Sequence, residues 1–123
     1  MSHSVVWVDI PVTDLDRALR FYSAMLGKKV EKGGGPGFSF GIFPHQGEDV
    51  GGCLVPPGDG NAPSQQGPLL YFNASGRLKE AVEAATANGG RVVHPITQIG
   101  PHGHRAIIVD SEGNRLALHS QTI

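Results

Sequence analysis

The chain has 123 residues, a formal net charge of -1, 39% hydrophobic and 17% charged residues, and no block of like charge. That balance suits a globular chain with a core of its own, excludes a disordered one, and offers no electrostatic attraction for nucleic acid or an anionic membrane surface. Cys53 is the single cysteine, which excludes an internal disulfide; with no apolar run long enough to span a bilayer and no secretory signal visible, a cytoplasmic protein is expected.

In chain order, Val5–Val12 reads as a strand. By period two, Val6, Val8, Ile10 and Val12 share one face, suited to packing on a helix. Trp7, Asp9 and Pro11 share the other, a mixture that suits the wall of a pocket. Thr13 opens a helix, with Asp16 three residues on in the manner of a capping box. Leu15, Ala18, Leu19, Tyr22 and Leu26 fall on one helical face, and Gly27 is placed to end the helix in a left-handed conformation. Lys28–Lys32, Phe38–Phe43 and Val50–Val55 read as three short strands, with turns at Gly33–Gly37 and Pro44–Asp49.

Pro56–Gly67 is polar and rich in Pro and Gly and reads as a linker. After it the order repeats. Leu69–Ala74 is a strand, with Leu70, Phe72 and Ala74 inward and Leu69, Tyr71 and Asn73 on the pocket face. A helix from about Gly76 to Ala87 follows, apolar at Leu78, Ala81, Val82 and Ala85 and closed by Asn88-Gly89. Strands near Arg91–His94, His104–Asp110 and Arg115–His119 complete the copy, the last two joined by a hairpin at Ser111–Asn114. The repeating unit is strand, helix, three strands, used twice. The expected fold is α+β: one domain over 1–123, with module one at about 1–55, a linker at about 56–67 and module two at about 68–123. The two βαβββ modules are expected to form a curved, mostly antiparallel sheet with helices on its outer face.

The chain resembles the vicinal oxygen chelate superfamily of glyoxalase I, bleomycin resistance proteins, extradiol dioxygenases and fosfomycin resistance proteins. The resemblance is carried by Val12-Thr13-Asp14-Leu15-Asp16 before Phe21-Tyr22, with Leu26-Gly27 after. It continues in Tyr71-Phe72-Asn73, in Gly89-Gly90-Arg91-Val92-Val93-His94-Pro95 and in Asp110-Ser111-Glu112-Gly113-Asn114-Arg115-Leu116. Nearest in character is the group of proteins related to lactoylglutathione lyase. The resemblance implies a small-molecule ligand and a homodimer. In metal-dependent members the ligands lie on the first and last strands of each half. The matching positions here are Trp7, Leu69, Ala117 and a fourth between Cys53 and Val55. Trp, Leu and Ala bind no divalent ion, so neither metal nor other cofactor is expected.

The site candidates each carry two readings. Asp9 is a general base or amine-binding carboxylate, or else a structural partner of Arg115 or a Tyr hydroxyl. His119, on one face with Ala117 and Arg115, shuttles a proton or binds ligand, or is an exposed terminal histidine. Trp7 and Tyr71 stack a planar ligand, or Trp7 fills the space a metal would take. Asn73 lies on the same face. His102 and His104, near His94, form a displaced metal site or decorate a Gly-Pro loop, and His102 is expected at the mouth of the pocket. Cys53 reads as a small buried hydrophobe. The expectation is a glyoxalase-like binding protein without metal, activity unassigned. The alternative is a lyase or dioxygenase-type enzyme on a small carbonyl metabolite, using Asp9, Tyr71 or His119.

Overall fold

A computed structural model describes residues 3–123. Strand β1 (Trp7–Pro11) leads into helix α1 (Leu15–Leu26), then β2 (Glu31–Gly35), β3 (Phe38–Ile42) and β4 (Gly51–Val55). The second module repeats this as β5 (Leu70–Asn73), α2 (Leu78–Ala87), β6 (Arg91–Gln98), β7 (His104–Val109) and β8 (Arg115–Ser120), with a 3-10 turn at Gly100–His102. The βαβββ repeat expected from the pattern is present in both halves. Its strands hydrogen-bond as two four-stranded sheets, β1-β4-β3-β2 and β5-β8-β7-β6, and not as one continuous sheet. Each sheet is mixed: β1 runs parallel to β4 and β5 to β8, and the other pairs are antiparallel.

Among the boundaries that differ from the sequence reading, three have a visible physical reason. The N-cap of α1 is Asp14, not Thr13: the Asp14 carboxylate accepts the Arg17 N–H at 3.1 Å. Thr13 is engaged elsewhere, its N–H and Oγ1 both reaching Glu112 Oε1, at 2.9 and 3.0 Å. Strand β2 begins at Glu31 and runs through glycines expected to form a turn; the turn itself is Pro36-Gly37. The stretch before it is tied to α1, because the Val30 N–H donates to Ser23 Oγ at 3.0 Å and the Val30 side chain is buried. Strand β6 extends through Pro95 to Gln98. Proline is tolerated there because β6 is an edge strand, with register shifts on either side of His94. Gly27 ends α1 as expected, with φ 67°.

Helix α1 packs on β3 and β4, α2 packs on β6, β7 and β8, and the two helices touch each other. Contacts therefore run sheet, helix, helix, sheet. One apolar cluster joins both modules, with Phe21, Tyr22 and Met25 of α1 buried together with Leu54, Ile108 and Leu118. Phe21 and Met25 widen the stripe expected from Ala18 and Tyr22, since α1 meets a sheet on one side and α2 on another. The Tyr22 ring lies 5.7 Å from Phe43 and 5.8 Å from Phe72, one from each half. Each such fully buried side chain stabilises by roughly 1.5–3 kcal/mol. Gly90 permits a close approach between the modules: a Cβ there would lie 2.7 Å from the Phe21 ring and 2.7 Å from the Val109 carbonyl oxygen. Residues 56–69 form no named strand or helix and contain one isolated bridge, Gly58 to Asn61.

Candidate functional site

The helices cover one face of each sheet and leave the other bare. On β1 the alternation holds from Trp7 to Ile10, with Ile10 buried and Trp7 and Asp9 exposed; Pro11, expected on the pocket face, is buried, and Val6, expected on the packed face, is exposed. On β5, Tyr71 and Asn73 are exposed and Phe72 is half-buried against the core. The two bare faces carry two distinct groups of side chains.

The first group is built on the parallel β1–β4 pair, whose register sets Asp9 beside Cys53 and Trp7 beside Gly51. Asp9 Oδ1 accepts two bonds, from the Trp7 indole N–H at 3.0 Å and from the Cys53 thiol at 3.2 Å. No protein donor among the described residues occupies Asp9 Oδ2. The indole lies close over Gly51, where a Cβ would come within 2.6 Å of the Trp7 ring. Its rim meets His45 edge-on at 6.2 Å. Trp7, Asp9, Phe40, Ile42, Cys53 and Val55 are among the residues lining a cavity of about 490 Å³ on this face. Burial first, then the bond to Asp9, pushes the Cys53 thiol up to about 11. Cys53 is therefore a protonated donor at neutral pH, not a nucleophile.

The second group spans three strands of the other sheet. Register sets His119 between Asn73 of β5 and Arg105 of β7. Arg105 Nη1 donates to the Tyr71 hydroxyl, and its guanidinium sits 5.9 Å from the Tyr71 ring centre. The Tyr71 and His119 rings meet edge-on at 6.3 Å. His119 Nε2 lies 2.6 Å from the His102 carbonyl oxygen. A carbonyl only accepts, so Nε2 carries the proton and neutral His119 keeps a basic lone pair on Nδ1.

Of the candidate residues, Trp7 and Asp9 are brought together in the first group, and Tyr71 and His119 in the second. Among the described residues no contact joins the two groups. Asn73 closes its own strand end, its Oδ1 accepting the Ser75 N–H at 2.9 Å. His102 contributes its backbone oxygen, with its side chain exposed on the 3-10 turn. Arg115 donates through Nη2 to the Gly67 carbonyl at 2.7 Å, and its Nε is buried without a partner. Arg115 also lines a groove of about 470 Å³ with Asp9 and Leu69, but makes no ion pair to Asp9. Arg105 escaped the sequence reading, as did the role of Cys53 as a donor to Asp9.

Register also resolves the fourth family ligand position. Ala117 stands opposite Tyr71, two residues after Leu69. Cys53 stands opposite Asp9, two residues after Trp7, and is its counterpart. The four positions thus carry Trp7, Cys53, Leu69 and Ala117. One protonated thiol among three side chains without lone pairs for a metal does not fit a divalent ion. Among the described residues no group of three or more His, Cys, Asp or Glu is placed to hold one. No helix among them is long and apolar enough to cross a membrane.

Comparison with known proteins agrees with this architecture. The family model described as Glyoxalase/Bleomycin resistance protein/Dioxygenase superfamily matches residues 4–118. A glyoxylase-like domain-containing protein of Didymella fabae is 30% identical over 120 residues, covering 90% of this chain and 88% of that one. A putative glyoxylase of Mycobacterium tuberculosis is 30% identical over 118 residues, covering 91% of this chain but 43% of that longer protein. Among solved structures, a glyoxalase/bleomycin resistance protein from Albidiferax ferrireducens T118 superposes with a TM-score of 0.78 at 20% identity, over 96% of this chain and 98% of that one. A fosfomycin resistance protein from Listeria monocytogenes gives 0.68 at 16% identity, over 98% and 94%. The structural matches speak for the fold alone. With the family model spanning nearly the whole chain, the protein belongs to the glyoxalase/bleomycin resistance protein/dioxygenase superfamily.

Proposed function

We propose that this protein binds a small, largely apolar organic molecule on the bare face of its first sheet, without a metal ion. One observation carries this reading. Around Trp7 and Cys53, two of the four positions that match ligands of metal-dependent relatives, this chain builds a cavity of about 490 Å³ walled by Trp7 and Phe40, with the Asp9 carboxylate held at its edge. Aromatic walls with few polar groups are the usual make-up of a small-molecule site. The free Asp9 Oδ2 suits a ligand hydroxyl or amine. The protein is placed with the lactoylglutathione-lyase-related group and in the cytoplasm on the same reading.

A homodimer is part of the proposal. Trp7, Phe38 and Tyr71 are 45%, 58% and 42% exposed, so each sheet presents large apolar side chains to solvent. Apolar exposure of this kind marks an interaction surface. Light scattering is expected to give twice the chain mass; a monomer at high concentration would count against it.

A glyoxalase-like enzyme on a small carbonyl metabolite is the second reading, favoured by one feature. The His102 carbonyl fixes the His119 tautomer, and the free Nδ1 is placed to accept a proton.

The test is elemental analysis after exhaustive dialysis, followed by ligand titration read from the emission of Trp7, the one tryptophan. No stoichiometric transition metal is expected, and quenching should persist in chelator. Trp7→Phe should retain most of the affinity and Trp7→Ala should lose about tenfold, measured calorimetrically. One tightly held zinc, nickel or iron per chain, released by His102→Ala or His104→Ala with loss of function, would overturn the reading. Turnover abolished by His119→Gln with binding intact would establish the enzyme.

A further inference from the structure

We propose that the bare face of the second sheet is an oxyanion subsite, in which Arg105 and the Tyr71 hydroxyl, beside His119, hold the carboxylate of a small organic ligand. The proposal rests on the small-molecule reading above and adds the ligand's charge to it.

Charge distribution is the first support. Strands β5, β6, β7 and β8 contain no Asp or Glu, yet they carry Arg91, Arg105, Arg115, His94, His104 and His119. Among the described residues Arg105 forms no ion pair; its partner is the Tyr71 hydroxyl. Arg77 and Arg115, also half-buried, donate to backbone carbonyls, whereas the Arg105 guanidinium is half-buried on the bare face with a side-chain hydroxyl as its partner. Arg17, by contrast, has its carboxylate in Glu112.

Geometry is the second support. Tyr71 takes one Nη of Arg105, which leaves the Nε–Nη2 edge of the fork for a planar anion. While accepting from Arg105, the Tyr71 hydroxyl keeps its own proton to donate. His119 stands beside Arg105 across the β7–β8 ladder with its ring against Tyr71. Arg105 also borders a cavity of about 290 Å³ with His94, Thr97, Gln98 and Ile107, and no carboxylate lines it. Ile107 at its floor offers an apolar surface for a carbon skeleton. A single guanidinium with one neutral hydroxyl matches the charge of one carboxylate better than that of a phosphate dianion.

The test is an NMR titration of the full chain with benzoate, its neutral amide benzamide, and inorganic phosphate. Benzoate is expected to shift the Arg105 side-chain N–H and His119 ring signals saturably, and benzamide and phosphate to bind at least about tenfold more weakly. Arg105→Ala should cost benzoate on the order of tenfold or more, Arg105→Lys less because a point charge keeps attraction but not the fork. Arg91→Ala on the neighbouring strand should change nothing, and Arg105→Lys also guards against loss of fold. Equal binding of benzoate and benzamide with quenching of Trp7 would overturn the subsite and leave the small-molecule reading standing. Benzoate binding that needs Arg105 without any change at Trp7 would support the subsite and count against the Trp7 cavity. Tighter binding of phosphate than benzoate would overturn the carboxylate assignment, as would unchanged benzoate affinity in Arg105→Ala.

Discussion

Asp110→Ala is expected to destabilise the protein by about 3–5 kcal/mol, the range for removing one member of a buried polar network. Asp110 is 3% exposed, and both its oxygens are engaged. Oδ1 accepts the backbone N–H of Glu112 and of Asn114, each at 2.8 Å. Oδ2 accepts the Tyr22 hydroxyl and, at 3.1 Å, the Asn114 side-chain amide. Asn114 then reaches across to the Pro11 carbonyl at 2.8 Å. Alanine would leave four donors buried without acceptors, at the point where α1, β1 and the β7–β8 hairpin meet. Burial, followed by the charge and hydrogen bond of Asp110, raises the Tyr22 hydroxyl well above its ordinary range, so it remains a donor at any ordinary pH. Asp110→Asn keeps the two backbone bonds and turns an amide toward Asn114, so about 1–3 kcal/mol is expected. Urea denaturation with both variants checks the ordering. Equal small losses would mean that the network does not fasten the modules.

The repeat was legible in the sequence because it rests on local rules. Period two separated Trp7 and Asp9 from Val8 and Ile10, and the structure keeps that separation. The helices followed from their apolar stripes and from Gly27 and Asn88-Gly89 at their ends. What failed was non-local. The cap moved from Thr13 to Asp14 because Glu112, 99 residues distant in sequence, takes the Thr13 donors. The Gly-rich stretch read as a turn became strand β2 because pairing with β3 decides, not glycine's weak intrinsic preference for strands. The split into two sheets depends on which edges pair, and no local pattern encodes that.

The candidate site divides in the same way. Trp7 with Asp9 and Tyr71 with His119 lie on faces that alternation predicts. Arg105 was recoverable: with the hairpin turn at Ser111–Asn114, Val109 falls opposite Arg115, which sets Arg105 opposite His119. Cys53 was not, because its place beside Asp9 comes from parallel pairing, whose register no turn fixes. Arg115 lies in the expected strand, but one of its guanidinium donors is taken by the Gly67 carbonyl of the connecting segment.

Glu112 makes the junction between the modules dependent on pH. Its side chain is fully buried, and it collects donors from the start of α1. Oε1 accepts the N–H of Thr13 and of Asp14, the Thr13 hydroxyl and Arg17 Nη2; Oε2 accepts Arg17 Nε at 2.7 Å and the Ser111 hydroxyl at 2.9 Å. Burial alone would raise its pKa. The Arg17 bond, the Asp14 N–H, Ser111 and Thr13 together outweigh that and lower it from 4.5 to about 2. The carboxylate also lies at the N-terminus of α1, where negative charge is favoured. A depressed carboxyl contributes stability that is fully present above its unfolded value and is lost as protons bind in the folded state. Glu112 should therefore contribute about 3 kcal/mol above pH 4.5, declining to nothing as pH falls through about 2. Glu112→Gln lacks the charge at every pH. Relative to the unmodified protein it should lose roughly that amount at neutral pH, and the gap should close on acidification. Chemical denaturation of both proteins between pH 7 and pH 2 measures the difference directly. A gap that stays constant down to pH 2 would show that Glu112 acts through shape and hydrogen bonding alone, not through the charge that α1 and Arg17 hold in place.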